Sequence, residues 1–134
     1  MSGIAGIART GERNTVGSML DKIDHRGPAG LEIVETENAT LGLVWTKSQA
    51  DAADKIKQEK GVFDSAGAGR LAAAQEISGA VCMTRDALGT APLYYGHDGS
   101  GTLCFASEVK ALIPHVSDVT ELPPGHRYEN GELI

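Results

Sequence analysis

The sequence is poor in aromatic residues and has no long apolar run, and each shortage excludes a class of protein. Aromatic side chains make up 4% of the 134 residues, so a core has to be built from aliphatic residues. No apolar run approaches the roughly 20 residues of a membrane-spanning helix, and no secretory leader pattern opens the sequence. We therefore expect one globular domain with a cytoplasmic location and no membrane partner.

Cysteine, histidine and basic residues are too few or too dispersed for several kinds of site. Cys82 and Cys104 lie in separate strand-like stretches, which predicts two buried free thiols. The four histidines lack metal-ligand spacing, so neither a metal nor a cofactor is predicted. The formal net charge is −6 and the basic residues are scattered, which argues against nucleic acid as a partner. The glycine-rich stretch at 65–70 lacks the lysine of a phosphate-binding loop.

The N-terminal third predicts alternating strands and helices. Ser2–Arg9 reads as a strand. A helix capped by Asn14 or Thr15 follows, because apolar residues then recur every three to four positions. Gly27 and the proline after it end that helix. The stretch LEIVETENATLGLVW is typical of a hairpin with its turn at 35–38.

The rest of the chain reads mostly as strands. A helix is predicted over 49–60 and closed by Gly61, whereas the segment 62–76 is ambiguous between helix and strand. Three strands are expected in SGAVCMTRD, PLYYGHD and TLCFASE. Ser107 is predicted to cap a short helix, and Asn130 with the glycine after it predicts a hairpin turn.

Ser2 is a candidate catalytic residue. If the initiator methionine is removed, Ser2 carries a nucleophilic hydroxyl and a base, its own α-amine, in one residue. The alternative interpretation is an ordinary second residue that leads into an edge strand. Composition alone favours the second interpretation.

Five stretches, taken in order, carry a resemblance to a known family: SGIAGI, HRGPAG, TRDALGTAPLYYG, FASEVKAL and PPGH. Together they resemble the N-terminal glutaminase domain of asparagine synthetases, a class II glutamine amidotransferase of the N-terminal-nucleophile (Ntn) hydrolase fold. The resemblance implies an α+β protein, an αββα sandwich of antiparallel sheets. It also implies a chemistry in which an N-terminal cysteine attacks the side-chain amide of glutamine. The released ammonia then passes to an ATP-using synthetase domain.

The same resemblance implies that the substrate site is altered. Ser2 stands at the position of the nucleophilic cysteine. Trp45 stands where the family has the arginine that binds the substrate carboxylate, and Gln49 stands where it has an aspartate for the substrate ammonium. An indole cannot form a bidentate ion pair with a carboxylate. A family segment with an Asn-Gly-Glu motif, which follows that arginine, is missing here, so the fold is expected to be trimmed by an internal deletion.

Other family positions are retained and are predicted to be structural. Gly3, Arg26 and Gly27 are expected at the N-terminal strand, which Arg26 and Gly27 help to seat. Arg85 and Asp86 are predicted to form a partly buried ion pair at a strand end.

A second retained region is expected to face other proteins. Leu93, Tyr94 and Tyr95 combine core packing with an edge that faces the partner domain in the family. Glu108 and Lys110 are expected to flank the same region.

Three functional hypotheses follow. The first is a glutaminase-like domain without glutaminase activity, acting as an interaction or regulatory subunit in a homo-oligomer or with a separate synthetase or other protein. The second is an active amidohydrolase or amidotransferase subunit that uses Ser2 as its nucleophile. The third is a small-molecule sensor that uses a remnant pocket near Trp45.

Overall fold

The structure, a computed structural model, describes residues 2–46, 52–66 and 69–134 of the chain. Its helices are α1 Arg13–Asp21, α2 Ala52–Glu59 and α3 Val109–Leu112, with a single 3₁₀ turn at Asp24–Arg26. Its strands are β1 Ser2–Ile7, β2 Gly30–Glu35, β3 Thr40–Trp45, β4 Gly61–Ala66, β5 Gly69–Ile77, β6 Ala80–Arg85, β7 Tyr94–His97, β8 Leu103–Ala106, β9 Thr120–Glu121, β10 Arg127–Glu129 and β11 Glu132–Leu133.

The strands form two antiparallel sheets. The first sheet has the order β2-β3-β1-β8-β7-β9 and the second has the order β11-β10-β6-β5-β4. Helices α1 and α3 pack on the first sheet, whereas α2 packs against β2 and β4. The predicted α+β sandwich of antiparallel sheets is therefore confirmed.

Alternation along β1 explains why this strand organises the core. Ile4 points into the cluster between the two sheets, together with Leu41 of β3 and Met83 of β6. Ala5 and Ile7 point the other way, into the cluster formed with α1. Ser2 shares the face of Ile4 and is thereby directed towards the second sheet.

The predicted cap of α1 is wrong. The helix begins at Arg13, and Glu12 precedes it without a side-chain cap. The Glu12 N–H instead bonds the Thr40 hydroxyl at 3.2 Å, so a distant strand satisfies a donor at this end of the helix. Tertiary contact has replaced the local cap that Asn14 or Thr15 would provide.

Ser107 is likewise not the cap of α3. That helix follows Glu108, which makes no side-chain capping bond. The Ser107 hydroxyl accepts a hydrogen bond from the Ile4 N–H at 2.8 Å. Ser107 therefore fastens the segment after β8 to β1, a role that local sequence does not indicate.

The described residues of the ambiguous segment 62–76 lie in strands β4 and β5. Its alanines favour helix by propensity, but Ala72 and Ala74 pack in the core between the sheets. The helix before it ends at Glu59, and Lys60 rather than Gly61 adopts a positive φ, of 51°. Gly61 opens β4 instead, where a Cβ would lie 2.3 Å from Gln75 Cγ.

Both predicted hairpins are present. The first turns between β2 and β3, after Glu35 and before Thr40. In the second, Asn130 and Gly131 have φ values of 52° and 81°, as a two-residue hairpin turn requires. The prediction for the cysteines is also confirmed, because Cys82 and Cys104 are both buried and free.

Candidate functional site

Ser2 and Trp45 lie side by side at one end of the sandwich. The register pairs Ser2 of β1 with Trp45 of β3, and Trp45 with Gly30 of β2. Directly opposed residues project from the same face of a sheet, so all three face the second sheet. Trp45 is buried, at 7% exposure.

Two glycines make room for this tryptophan. A Cβ on Gly30 would lie 2.2 Å from Cζ2 of the Trp45 ring, and a Cβ on Gly27 would lie 2.1 Å from the Trp45 backbone nitrogen. Gly27 therefore allows the chain after the 3₁₀ turn to lie against β3, as expected of a structural residue. The Trp45 indole occupies the space over Gly30.

Asp64 reaches Ser2 from the opposite sheet. The Ser2 hydroxyl donates a hydrogen bond to Asp64 Oδ1 at 2.9 Å, and the two residues are 8% and 3% exposed. The register of β4 against β5 shifts directly after Asp64. Such irregularities redirect side chains within a sheet. Sequence reasoning missed Asp64, because it lies 62 positions from Ser2 and no local pattern connects them.

Arg26 joins the two sheets at this point. Its Nε donates to the Ser2 carbonyl at 3.1 Å, and its Nη2 lies 3.4 Å from Asp64 Oδ2. Its Nη1 donates to Glu108 Oε2 at 3.3 Å. Its stem also contacts Gly3, where a Cβ would lie 3.3 Å from Arg26 Cδ. Arg26 thus seats the N-terminal strand, as expected, and binds two carboxylates as well.

His25 lies on the solvent side of these residues. Its Nε2 lies 2.8 Å from Glu108 Oε2. Burial raises the pKa of the Glu108 carboxyl, but the hydrogen bonds from Arg26 and His25 outweigh burial, and the net pKa is lowered. The five residues Ser2, His25, Arg26, Asp64 and Glu108 are called the Ser2 cluster below.

The polar groups of the Ser2 cluster are hydrogen-bonded, but its carboxylates outnumber its guanidinium. Two carboxylates, Asp64 and Glu108, share the guanidinium of Arg26. The neighbouring Trp45 Nε1 is buried and has no hydrogen-bond partner among the residues that the structure describes, and its indole carries no charge. Chemically, the arrangement allows the Asp64 carboxylate to hold the Ser2 hydroxyl proton. Gln49 lies outside the described residues.

The predicted ion pair between Arg85 and Asp86 is wrong. Arg85 Nη1 lies 2.8 Å from Glu121 Oε2, and its remaining donors go to backbone carbonyls. Asp86 accepts hydrogen bonds from the N–H and the hydroxyl of Thr90. Neighbouring residues at a strand end project to opposite sides, so sequence adjacency did not make them partners.

Some residues of the retained region around Leu93 lie in the core, and others lie at the Ser2 cluster. Leu93 and Tyr95 are buried in the core between the sheets, and Tyr94 packs partly against the cluster under α1. Glu108 belongs to the Ser2 cluster, and Lys110 Nζ lies 3.6 Å from its Oε1.

Two features are absent from the described ranges. No three His, Cys, Asp or Glu side chains there are grouped in a way that would hold a metal ion. None of the helices in that part of the chain is long and apolar enough to cross a membrane.

Part of the chain matches a known protein family. Residues 59–124, just under half of the chain, match the family described as "Glutamine amidotransferase domain". The chain thus carries a glutamine amidotransferase-like domain.

Its similarity to asparagine synthetases is also direct. The chain is 37% identical over 83 residues to asparagine synthetase B [glutamine-hydrolyzing] of Escherichia coli, which covers 60% of the chain. It is 46% identical over 46 residues to asparagine synthetase [glutamine-hydrolyzing] 2 of Arabidopsis thaliana, which covers 34% of the chain. The domain is therefore related to asparagine synthetases. The chain spans only 15% and 8% of the lengths of these two relatives.

Proposed function

We propose that this glutamine amidotransferase-like domain has lost glutamine hydrolysis and acts as an interaction or regulatory subunit. The observation that carries the proposal is the state of the nucleophile position. The Ser2 hydroxyl is buried and donates to Asp64, and the residue beside it is the buried Trp45.

Charge supports the same conclusion. An amino-acid substrate brings a carboxylate, which requires a cation to receive it. Near Ser2 the Arg26 guanidinium is already engaged by Asp64 and Glu108, so it is not free to receive an additional carboxylate. The resemblance places Trp45 at the family's carboxylate-binding arginine, and an indole cannot take over that role.

The proposed partner is a second copy of the chain or a separate synthetase or other protein subunit. In the relatives the matched region is a small part of a long polypeptide, which is consistent with a domain that works beside other protein surfaces. Sedimentation at micromolar concentration tests self-association. A clean monomer would contradict a homo-oligomer and leave a separate subunit as the proposed partner.

The experiment is glutamine-dependent ammonia release by the purified chain and by the Ser2→Ala variant. We expect both proteins to release no more ammonia than buffer. Release by the wild type that disappears in Ser2→Ala would overturn the proposal. An active glutaminase domain in the same assay verifies that ammonia is detected.

A second candidate function is supported by the bond between Ser2 and Asp64. A carboxylate 2.9 Å from a serine hydroxyl could assist its deprotonation, so an amidohydrolase that uses Ser2 is the alternative. An Ntn mechanism needs a free α-amine on Ser2. Mass spectrometry of the N-terminus decides this, because retention of Met1 removes that mechanism.

A further inference from the structure

Asp64 holds an unusual position for an ionisable residue. It is 3% exposed and projects from β4 across the space between the sheets. Its Oδ1 accepts the hydroxyl proton of Ser2, and its Oδ2 lies 3.4 Å from Arg26 Nη2. The two carboxylate oxygens therefore meet two different donors, one on β1 and one on the 3₁₀ turn.

The donors around Asp64 are also held by contacts outside β4. Ser2 is fixed by the pairing of β1 with β3. Arg26 is held by the Ser2 carbonyl and by Glu108 as well as by Asp64. Removal of the Asp64 carboxylate would leave a hydroxyl and one guanidinium nitrogen directed at a common buried space.

We infer that the Ser2 hydroxyl and the Arg26 guanidinium form a carboxylate-binding site that the chain's own Asp64 occupies. The class of ligand is a small monocarboxylate such as formate or acetate, which presents two oxygens as Asp64 does. In the wild type such a ligand binds only by displacing Asp64, so Asp64 acts as a self-inhibitory contact.

Charge balance favours this occupant over a larger anion. With Asp64 present, two carboxylates meet one guanidinium, and without it only Glu108 remains. One monocarboxylate then restores the negative charge that Asp64 carried. Ser2 is 8% exposed and the Arg26 side chain 12%, which favours a ligand of a few atoms.

The test is the thermal stability of Asp64→Ala during titration with sodium acetate and sodium formate. Sodium chloride at equal ionic strength corrects for general salt effects. We expect the melting temperature to rise by about 5 °C when acetate exceeds its dissociation constant tenfold, and to keep rising with the logarithm of the acetate concentration. Trp45, the single tryptophan, lies opposite Ser2, and its fluorescence should change with occupancy of the site and saturate.

The matched control is Asp64→Asn, which keeps the volume of the side chain and therefore leaves no room for acetate. We expect the wild type and Asp64→Asn to respond to acetate as they do to chloride. The double variant with Ser2→Ala loses one donor and should bind acetate at least tenfold more weakly than Asp64→Ala. A response of Asp64→Ala equal to that of Asp64→Asn would overturn the inference.

A further readout keeps the test decisive. If Asp64→Ala is unfolded in plain buffer, the same titration becomes a refolding assay followed by near-ultraviolet circular dichroism. Recovery in acetate but not in chloride supports the site, and no recovery in acetate contradicts it. The inference rests on the proposed function, but the outcomes are separable, because ammonia release by the wild type would overturn the function whatever acetate does to Asp64→Ala.

Discussion

Two arginines anchor opposite parts of this domain, and they use their donors differently. Arg85, whose side chain is 6% exposed, donates to the carbonyls of Gly89, Ala91 and Leu122 as well as to Glu121. Arg26, at 12%, donates to one carbonyl and binds two carboxylates on distant segments. Arg85 therefore stabilises the backbone of a loop, whereas Arg26 brings together carboxylate side chains from distant segments.

The comparison gives a physical reason to expect that family motifs persist where substrate residues do not. The residues around Arg85 specify a loop whose carbonyls would otherwise be buried without donors, so their loss would damage the fold. The polar side chains around Ser2 only need to supply hydrogen-bond partners for one another. Such a group should tolerate replacement, which the proposed exchange of the family's arginine for Trp45 requires.

Arg85→Met should have the largest effect on stability. It leaves three carbonyls without their arginine donor, and we expect the free energy of unfolding to fall by about 3–5 kcal/mol. Urea denaturation followed by circular dichroism measures the loss. Arg127→Met is the control, because the exposed pair of Arg127 with Glu129 should contribute less than about 1 kcal/mol. Equal losses for the two variants would contradict the comparison.

Arg26→Met should have the next largest effect, a loss of about 2–4 kcal/mol, because Asp64 would lose the Arg26 guanidinium and Glu108 would keep only Lys110 and His25. A double-mutant cycle with Asp64→Asn sharpens the result. We expect Asp64→Asn to lower the free energy of unfolding by about 1 kcal/mol less in the Arg26→Met background than in the wild type. Additive losses would mean that the two residues do not interact energetically.

The sequence anticipates features whose cause is local. The turn at Asn130 and Gly131 follows from residues that accept a positive φ. The cap of α1 was missed because its partner, Thr40, lies on another strand. Asp64 and Glu108 were not predicted to contact Arg26, since contacts across 38 and 82 positions leave no local pattern. The site could be located by resemblance, but its hydrogen bonds could not.

The effect of acid on the stability of the Ser2 cluster should be smaller than the effect of either arginine variant. The folded-state pKa of Glu108 is lowered by Arg26 and His25 despite burial, so its contribution to stability is present above the unfolded pKa of about 4.3. That contribution is lost as the pH falls through the lower folded value. We expect the stability gap between the wild type and Glu108→Gln to close below about pH 4.3. Denaturant unfolding from pH 7 to pH 3 measures it, and a constant gap would refute the assignment.

His25→Gln should have the smallest effect. The His25 side chain is 53% exposed, and its contact with Glu108 is open to solvent on one side. We expect a change of less than about 1 kcal/mol in the free energy of unfolding. The same urea assay checks it, and a loss as large as that of Arg26→Met would show that the cluster depends on its solvent side.

The central claim is that the chain's own side chains fill the space where a glutaminase would hold its substrate. The most direct measurement is the intact mass of the wild type after incubation with 6-diazo-5-oxo-L-norleucine, a glutamine analogue that labels the nucleophile of glutamine amidotransferases. The account predicts no adduct on Ser2. A stoichiometric adduct that maps to Ser2 and is absent from Ser2→Ala would contradict it.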